Sequence, residues 1–160
     1  YNYVNLTEED KVSVLGMRNH PEIKKWMYNK DDIPDKVHCE FIKSLESQTD
    51  KRYFLVKQKN NIIGSINFSK MDLPYSVEFG IYTNPYLQIK DAGRLLESAA
   101  SQYAFIELGV KKIILEVYLD NKRAINFYKK CGFSVFDTKK VSHQNIMRME
   151  KIKLLEGCSA

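Results

Sequence analysis

A carboxylate, an amide and a phenol fall within one short stretch of this chain, as Glu116, Asn121 and Tyr128. A phenol, with an ordinary pKa of about 10, keeps its proton at pH 7 and can donate it to a departing anion. The alternative is an amphipathic core tyrosine, one of ten in the sequence. A glutamate inside an apolar strand is either a site carboxylate holding a relay water or a surface residue on a half-exposed strand. Ser65, in Gly64-Ser65-Ile66, lies in a separate β-rich run and is a candidate partner opposite Glu116. Cys131 adjoins the stretch, but its place at a helix end reads as packing rather than as a nucleophile.

A different chemistry is open to Gln88-Ile89-Lys90-Asp91-Ala92-Gly93-Arg94, which leads into a helix. A helix N-terminus presents unpaired N–H groups and a positive dipole end to an anion. Lys90 and Arg94 add charge, and Gly93 permits close backbone approach. A single glycine suits an ordinary loop equally well.

The elements that must position these residues follow from apolar periodicity. Thr7-Glu8-Glu9-Asp10 starts a helix with a cap and acids in its first turn. Pro21 opens a second short helix, with His20 bracing the turn. Asp35 starts a third, in which Val37, Phe41 and Leu45 share a face. The period then changes to β-rich runs at 53–57 and 62–68, joined by Lys59-Asn60-Asn61, and a third at 77–83 stopped by Asn84-Pro85. Beyond it come a helix over 93–107, a strand at 113–119, a helix at 122–130 capped by Asn121, and strands near 133–137 and 145–151. A strand-helix-strand crossover in an otherwise antiparallel sheet predicts a mixed α/β fold.

The chain has 160 residues, 44% hydrophobic and 28% charged, which suits one globular domain over 1–160. The charge of +5 is a mild excess of 25 basic over 20 acidic residues, spread along the chain, and fits a phosphate-rich small ligand as well as nucleic acid. No basic stripe or RNA-binding aromatic motif stands out, so neither nucleic acid nor membrane is an expected partner. Cys39, Cys131 and Cys158 form no disulfide framework, and with His20, His38 and His143 they show no metal-ligand spacing. That usage fits a reducing cytoplasm, and no metal is expected. The N-terminus carries no secretory signal pattern and no initiator Met, as expected of a trimmed cytoplasmic chain.

The motif Asn121…Ala124…Phe127-Tyr128-x-Lys130-x-Gly132-Phe133 resembles the end of a GNAT-superfamily N-acetyltransferase domain. The resemblance implies a single α/β domain, its mostly antiparallel mixed sheet flanked by helices. The strands that the family counts fourth and fifth, here 77–83 and 113–119, would splay apart. It implies acetyl-CoA as co-substrate, with Tyr128 protonating the leaving thiolate and Glu116 and Ser65 on the amine side. The pantetheine arm would lie along the backbone of Phe79, Gly80, Ile81, Tyr82 and Thr83, with Asn121 and Ala124 beside it. The pyrophosphate would take the loop of Gln88, Lys90, Asp91, Ala92, Gly93 and Arg94. Gln88 and Gly93 match the family's loop, whereas Asp91 stands where the family has a glycine. A carboxylate there repels a pyrophosphate unless turned outward.

Arg18-Asn19-His20-Pro21-Glu22-Ile23, then Trp26-Met27-Tyr28, is similar to the sugar-nucleotide N-acetyltransferases of bacterial pseudaminic acid synthesis, those that act on UDP-4-amino-4,6-dideoxy-N-acetyl-β-L-altrosamine. That likeness runs from Arg18 to about Gly132. It implies a UDP-linked amino sugar acetylated at its 4-amino group by direct attack on the thioester, in a route to flagellin glycosylation. Arg18 suits diphosphate by fork geometry and His38 suits phosphate or ribose, with Met27, Tyr28 and Phe41 facing uracil or the 6-deoxy methyl and Tyr82 near the sugar. Trp26 is expected in packing. The enzyme would be a monomer or homodimer. The rival readings are acetylation of a protein N-terminus or another amine on the same fold, and a non-catalytic module that binds CoA or nucleic acid.

Overall fold

Thr7 starts the first helix as its sequence implies: its side chain accepts a hydrogen bond from the Asp10 N–H at 3.1 Å in a computed structural model that describes residues 1–154. Helix α1 (Glu8–Asn19) carries Glu8, Glu9 and Asp10 in its first turn, where acids favour the dipole. His20 caps α2 (Pro21–Lys24), its Nδ1 accepting from the Glu22 N–H at 3.1 Å. Helix α3 (Asp35–Ser44) buries His38 and Ile42, with Leu45 just beyond it, while Val37 is exposed. The Val37–Phe41 face expected from four-residue spacing is therefore rotated by one residue, about 100° of turn.

Six strands follow: β1 (Arg52–Gln58), β2 (Asn61–Asp72), β3 (Ser76–Thr83), β4 (Lys112–Tyr118), β5 (Ser134–Val141) and β6 (Gln144–Ile152). Their order in the sheet is β1-β2-β3-β4-β6-β5. β1 pairs antiparallel with β2 through a tight turn in which Lys59 takes φ 57°. β3 and β4 are parallel, and the crossover between them is α4 (Ala92–Gln102), continued by a π-helical turn over Tyr103–Glu107 and ended at Gly109 with φ 68°. β6 pairs antiparallel with β4 and with β5. Helix α5 (Lys122–Lys130) lies between β4 and β5 in the chain. The mixed, mostly antiparallel sheet with accompanying helices is the expected fold class.

β3 pairs with β4 only from Ser76 to Glu78, against Lys112 to Ile114. Each strand runs on past that point, β3 to Thr83 and β4 to Tyr118. This is the parting that the resemblance implies.

The chain forms two compact units, one of 1–69 with 80–96 and one of 70–79 with 97 onward. In the first, Tyr3, Leu6, Val14, Met17, Ile42, Leu45 and Leu55 make a core, with Phe41, Tyr53, Ile62 and Tyr82 packed against it. Each large apolar side chain fully buried there contributes roughly 1.5–3 kcal/mol. In the second, Val77, Phe79, Ile113, Leu115, Ile125, Phe133 and Met149 are buried. Leu115 shares its strand face with Ile113 and Val117, as β-alternation requires. No helix among the described residues is long and apolar enough to cross a membrane. Cys158 lies outside the described residues.

Candidate active site

In the first unit, the phenols of Tyr3, Tyr53 on β1 and Tyr82 on β3 gather with the Arg18 guanidinium of α1. The Tyr3 hydroxyl is hydrogen-bonded to Ser65 Oγ, which also donates to the Phe54 carbonyl at 3.3 Å. Tyr82 completes the set, hydrogen-bonded to Tyr3 and Ser65. Burial pushes Tyr3 well above the ordinary phenol value, and raises Tyr53 and Tyr82 as well. Phe41 meets the Tyr53 ring edge-on at 5.0 Å. Burial lowers the Arg18 guanidinium from its usual value, with Tyr82, Asp32 and Tyr53 opposing. Arg18 Nη2 donates to the Asn29 carbonyl at 2.7 Å, while Nη1 is buried with no hydrogen-bond partner among the described residues. Asn19 fixes the loop beyond it by donating to the Ile33 carbonyl at 3.0 Å and accepting from the Ile33 N–H at 2.7 Å.

Arg18, Phe41 and Tyr82 are thus brought into one neighbourhood through Tyr53. His38 has its own surroundings: its Nε2–H donates to the Lys11 carbonyl at 3.1 Å, tying α3 to α1, and burial lowers its pKa. Its Nε2 is thus engaged within the fold. Met27 is half-buried and Tyr28 exposed. Trp26, expected in packing, is 38% exposed with Lys25 Nζ 5.4 Å from its ring centroid. The Ser65 hydroxyl is buried inside the Tyr3–Phe54 network.

The loop before α4 belongs to the same unit. Asn84 anchors it by donating to the Ile62 carbonyl at 2.9 Å and accepting from the Tyr86 N–H at 2.9 Å. Gln88, Lys90 and Arg94 are exposed and Ala92 is buried. Asp91 takes φ 60°, the left-handed conformation, and its carbonyl accepts from the Leu95 N–H at 3.0 Å. The backbone therefore keeps the shape a glycine would give, in a region that Asp tolerates better than most residues. Gly93 and the first-turn N–H groups of α4 follow directly, so these residues fit an anion.

In the second unit, Asn121 caps α5: its Oδ1 accepts from the Ala124 N–H at 3.2 Å, which leaves Nδ2 as the donor of the amide. Tyr128 projects from α5 into an aromatic cluster. Phe79 lies 6.1 Å away and Phe133 5.6 Å, both edge-on, and Phe79 and Phe133 stack at 5.4 Å. Burial drives the phenol far above its ordinary value, with Cys131 and Glu97 adding to the effect. The Tyr128 hydroxyl has no hydrogen-bond partner among the described residues. It is a protonated, uncommitted donor.

Glu116 is committed elsewhere. Its carboxylate pairs with Lys139 Nζ at 2.6 Å and Arg148 Nε at 3.2 Å. Removing either partner would leave charge unbalanced at a side chain only 7% exposed, so these pairs tie Glu116 to β5 and β6. A cluster missed from sequence acts electrostatically on Tyr128: Glu97 Oε1 accepts from Lys151 Nζ at 2.6 Å and from Ser101 Oγ at 2.6 Å. An acid and a serine one helical turn apart on the apolar face of α4 was the signal available for it. No group of acidic, His or Cys side chains among the described residues is arranged to hold a metal ion.

The chain is similar in sequence and fold to known proteins. Acetyltransferase PseH of Campylobacter jejuni subsp. jejuni serotype O:23/36 (strain 81-176) is 32% identical over 154 residues, 96% of each chain. The crystal structure of Campylobacter jejuni N-acetyltransferase PseH in complex with acetyl coenzyme A superimposes with a TM-score of 0.78 at 26% identity, covering 96% of this chain and 97% of that one. A spermidine N-acetyltransferase from Vibrio cholerae, in complex with CoA and spermine, has a TM-score of 0.82 at 23% identity over 92% of each chain, a likeness of fold. The acetyltransferase (GNAT) family profile matches residues 17–133, and with the fold and the Tyr128 motif in place, this chain belongs to that family.

Proposed function

We propose that this protein, acting as one domain over 1–160 in the cytoplasm, transfers acetyl from acetyl-CoA to the 4-amino group of a UDP-linked 4-amino-4,6-dideoxy sugar, a step of pseudaminic acid synthesis feeding flagellin glycosylation. Acetyl-CoA supplies an acetyl group on a thioester, which an amine converts to an amide with release of a thiol. The loop from Gln88 to Arg94 and the first turn of α4 hold the pyrophosphate, and the backbone of 79–83 takes the pantetheine arm. Asn121 contributes its Nδ2 and Ala124 lies one turn along α5. The C–N bond forms as the C–S bond breaks. Tyr128 donates its proton to the departing sulfur and is reprotonated from the proton the amine gives up.

Acceptor recognition falls to the first unit. The observation that carries it is Arg18 Nη1, buried and without a partner among the described residues. Such a group is costly unless a ligand satisfies it, and a diphosphate does so in fork geometry. Tyr82 and Tyr53 lie beside the guanidinium, Phe41 packs on Tyr53, and Met27 and Tyr28 offer apolar surface. A polyamine acceptor, as the Vibrio structure's spermine would suggest, brings positive charge towards a half-buried guanidinium, so the anionic acceptor is favoured. Incubation with acetyl-CoA and a panel of UDP-amino-sugars, spermidine and a peptide, read by mass spectrometry, tests this. One added acetyl on the 4-amino sugar is expected. Arg18→Ala should raise the KM for that acceptor about 10- to 100-fold while donor affinity holds. Acetylation of spermidine or peptide alone overturns the reading.

A further inference from the structure

We propose that Glu97 and Lys151, a charge pair joined through Ser101, act as positioning residues whose balance sets how readily Tyr128 releases its proton. This rests on the reading of Tyr128 as the donor of the transferred proton.

Glu97 is a buried carboxylate on α4 that serves none of the tasks described above. Lys151 Nζ reaches it at 2.6 Å and Ser101 Oγ at 3.1 Å, so three side chains from α4 and β6 form a closed set. The ammonium also lies 5.9 Å from the Phe133 ring centroid. Phe133 packs edge-on against Tyr128 at 5.6 Å. The phenol, the aromatic ring and the ion pair thus stand in sequence within the second unit. The other rings packed on Tyr128, Phe79 and Phe127, are uncharged, and Cys131 at the end of α5 is the further titratable neighbour.

A phenol enclosed by rings has little solvent to stabilise its anion, so nearby fixed charges weigh more than they would in water. Glu97 alone would hold the proton on Tyr128. Lys151 offsets that charge, and Ser101 keeps the carboxylate directed at the ammonium. Removing the carboxylate would leave a cation that favours the phenolate; removing the ammonium would do the reverse. A purely structural pair would destabilise the fold without moving the phenol in opposite directions.

The test replaces Tyr128 by 3,5-difluorotyrosine, a more acidic phenol whose 19F signal reports ionisation, in four backgrounds. Glu97→Gln should lower the titration midpoint by about one pH unit and Lys151→Met should raise it by about one. The double variant should return to within about half a unit of the parent, the signature of charge balance. If Lys151→Met does not fold, Glu97→Gln and the double variant carry the comparison. A midpoint that stays fixed in Glu97→Gln, or moves equally in Glu97→Gln and the double variant, overturns the proposal. The titration needs no turnover, so it is separable from the assignment of Tyr128 as proton donor, which fails instead if Tyr128→Phe keeps full activity.

Discussion

Tyr82 in the first unit and Tyr128 in the second are both phenols that burial raises above their ordinary pKa, yet their hydroxyls are used differently. Tyr82 is hydrogen-bonded to Tyr3 and Ser65, inside a network that ends on the Phe54 carbonyl. Tyr128 is surrounded by rings, and its hydroxyl has no partner among the described residues. Burial keeps a proton on both, but only an uncommitted O–H can donate without breaking a bond. A perturbed phenol therefore marks a candidate acid only once its hydrogen bonds have been traced.

The largest effect expected from that contrast is on turnover. Tyr128→Phe should lower kcat by about 10²- to 10⁴-fold with acetyl-CoA affinity unchanged, the usual worth of a general acid. Tyr82→Phe should leave kcat within about tenfold, raise the acceptor KM, and cost about 1 kcal/mol of folding stability for the lost hydrogen bond. Steady-state kinetics with a denaturant melt of each variant distinguishes them. Equal loss of kcat in both would break the comparison.

The next effect is on stability and tests how the first unit holds Tyr82. A Cβ on Gly64 would run into the Tyr82 carbonyl oxygen and lie 3.0 Å from Thr83 Cα. Both are backbone atoms, so Gly64→Ala must push β2 and β3 apart, at about 3 kcal/mol. At Gly80 the nearest atom is the Asn67 side-chain oxygen at 2.7 Å, which can swing away. Gly80→Ala should cost less, about 1 kcal/mol. Thermal unfolding orders the two, and a reversed order would mean that β3 tolerates displacement beside Tyr82.

These positions also show what the sequence made legible. Asn121, Tyr128 and Gly132 lie within one helix and its ends, so spacing along the chain reports their geometry directly. The strand-helix-strand crossover was readable for the same reason, because period and turn residues are local. The partners of Glu116, Lys139 and Arg148, were not legible because they come from later strands and meet it only through register. The burial of His38 was not legible because a helical face shifts by 100° per residue, and only the packing of α3 on α1 decides which side is inward. Tyr3 and Ser65 pair across 62 residues of sequence, a contact that no local pattern announces.

His38 offers a smaller test, on pH. The folded protein holds the imidazole neutral, burial lowering its pKa below 6.5 while the bond to the Lys11 carbonyl acts against that. A group depressed on folding contributes stability above its unfolded pKa, and that contribution is lost as pH falls through the folded value. Melts taken from pH 8 down to pH 5 should therefore lose stability in the wild type below about 6.5. His38→Leu should flatten that slope, and cost about 1 kcal/mol at pH 8 for the missing hydrogen bond. An unchanged slope would mean that the buried imidazole does not set the acid sensitivity of the fold.

Asp91 carries the smallest expected effect and separates backbone shape from charge in the anion loop. Its φ of 60° is one that glycine adopts freely, so Asp91→Gly relieves a modest strain on the folded side. It also loosens the unfolded chain by about 0.4–1 kcal/mol, which works in the opposite direction. The two nearly cancel, and the melting temperature should hold. The carboxylate is exposed at the start of α4, so its repulsion of a bound pyrophosphate is that of solvated charges, under about 1 kcal/mol at 6 Å. Asp91→Gly should therefore tighten acetyl-CoA two- to fivefold, about 0.4–1 kcal/mol, in low salt, with the gain fading towards 1 M as the Debye length shrinks to about 3 Å. Titration calorimetry at two ionic strengths measures both. Weaker binding by Asp91→Gly would mean that the aspartate holds the loop in its binding shape better than a glycine can, and that shape outweighs charge at this position.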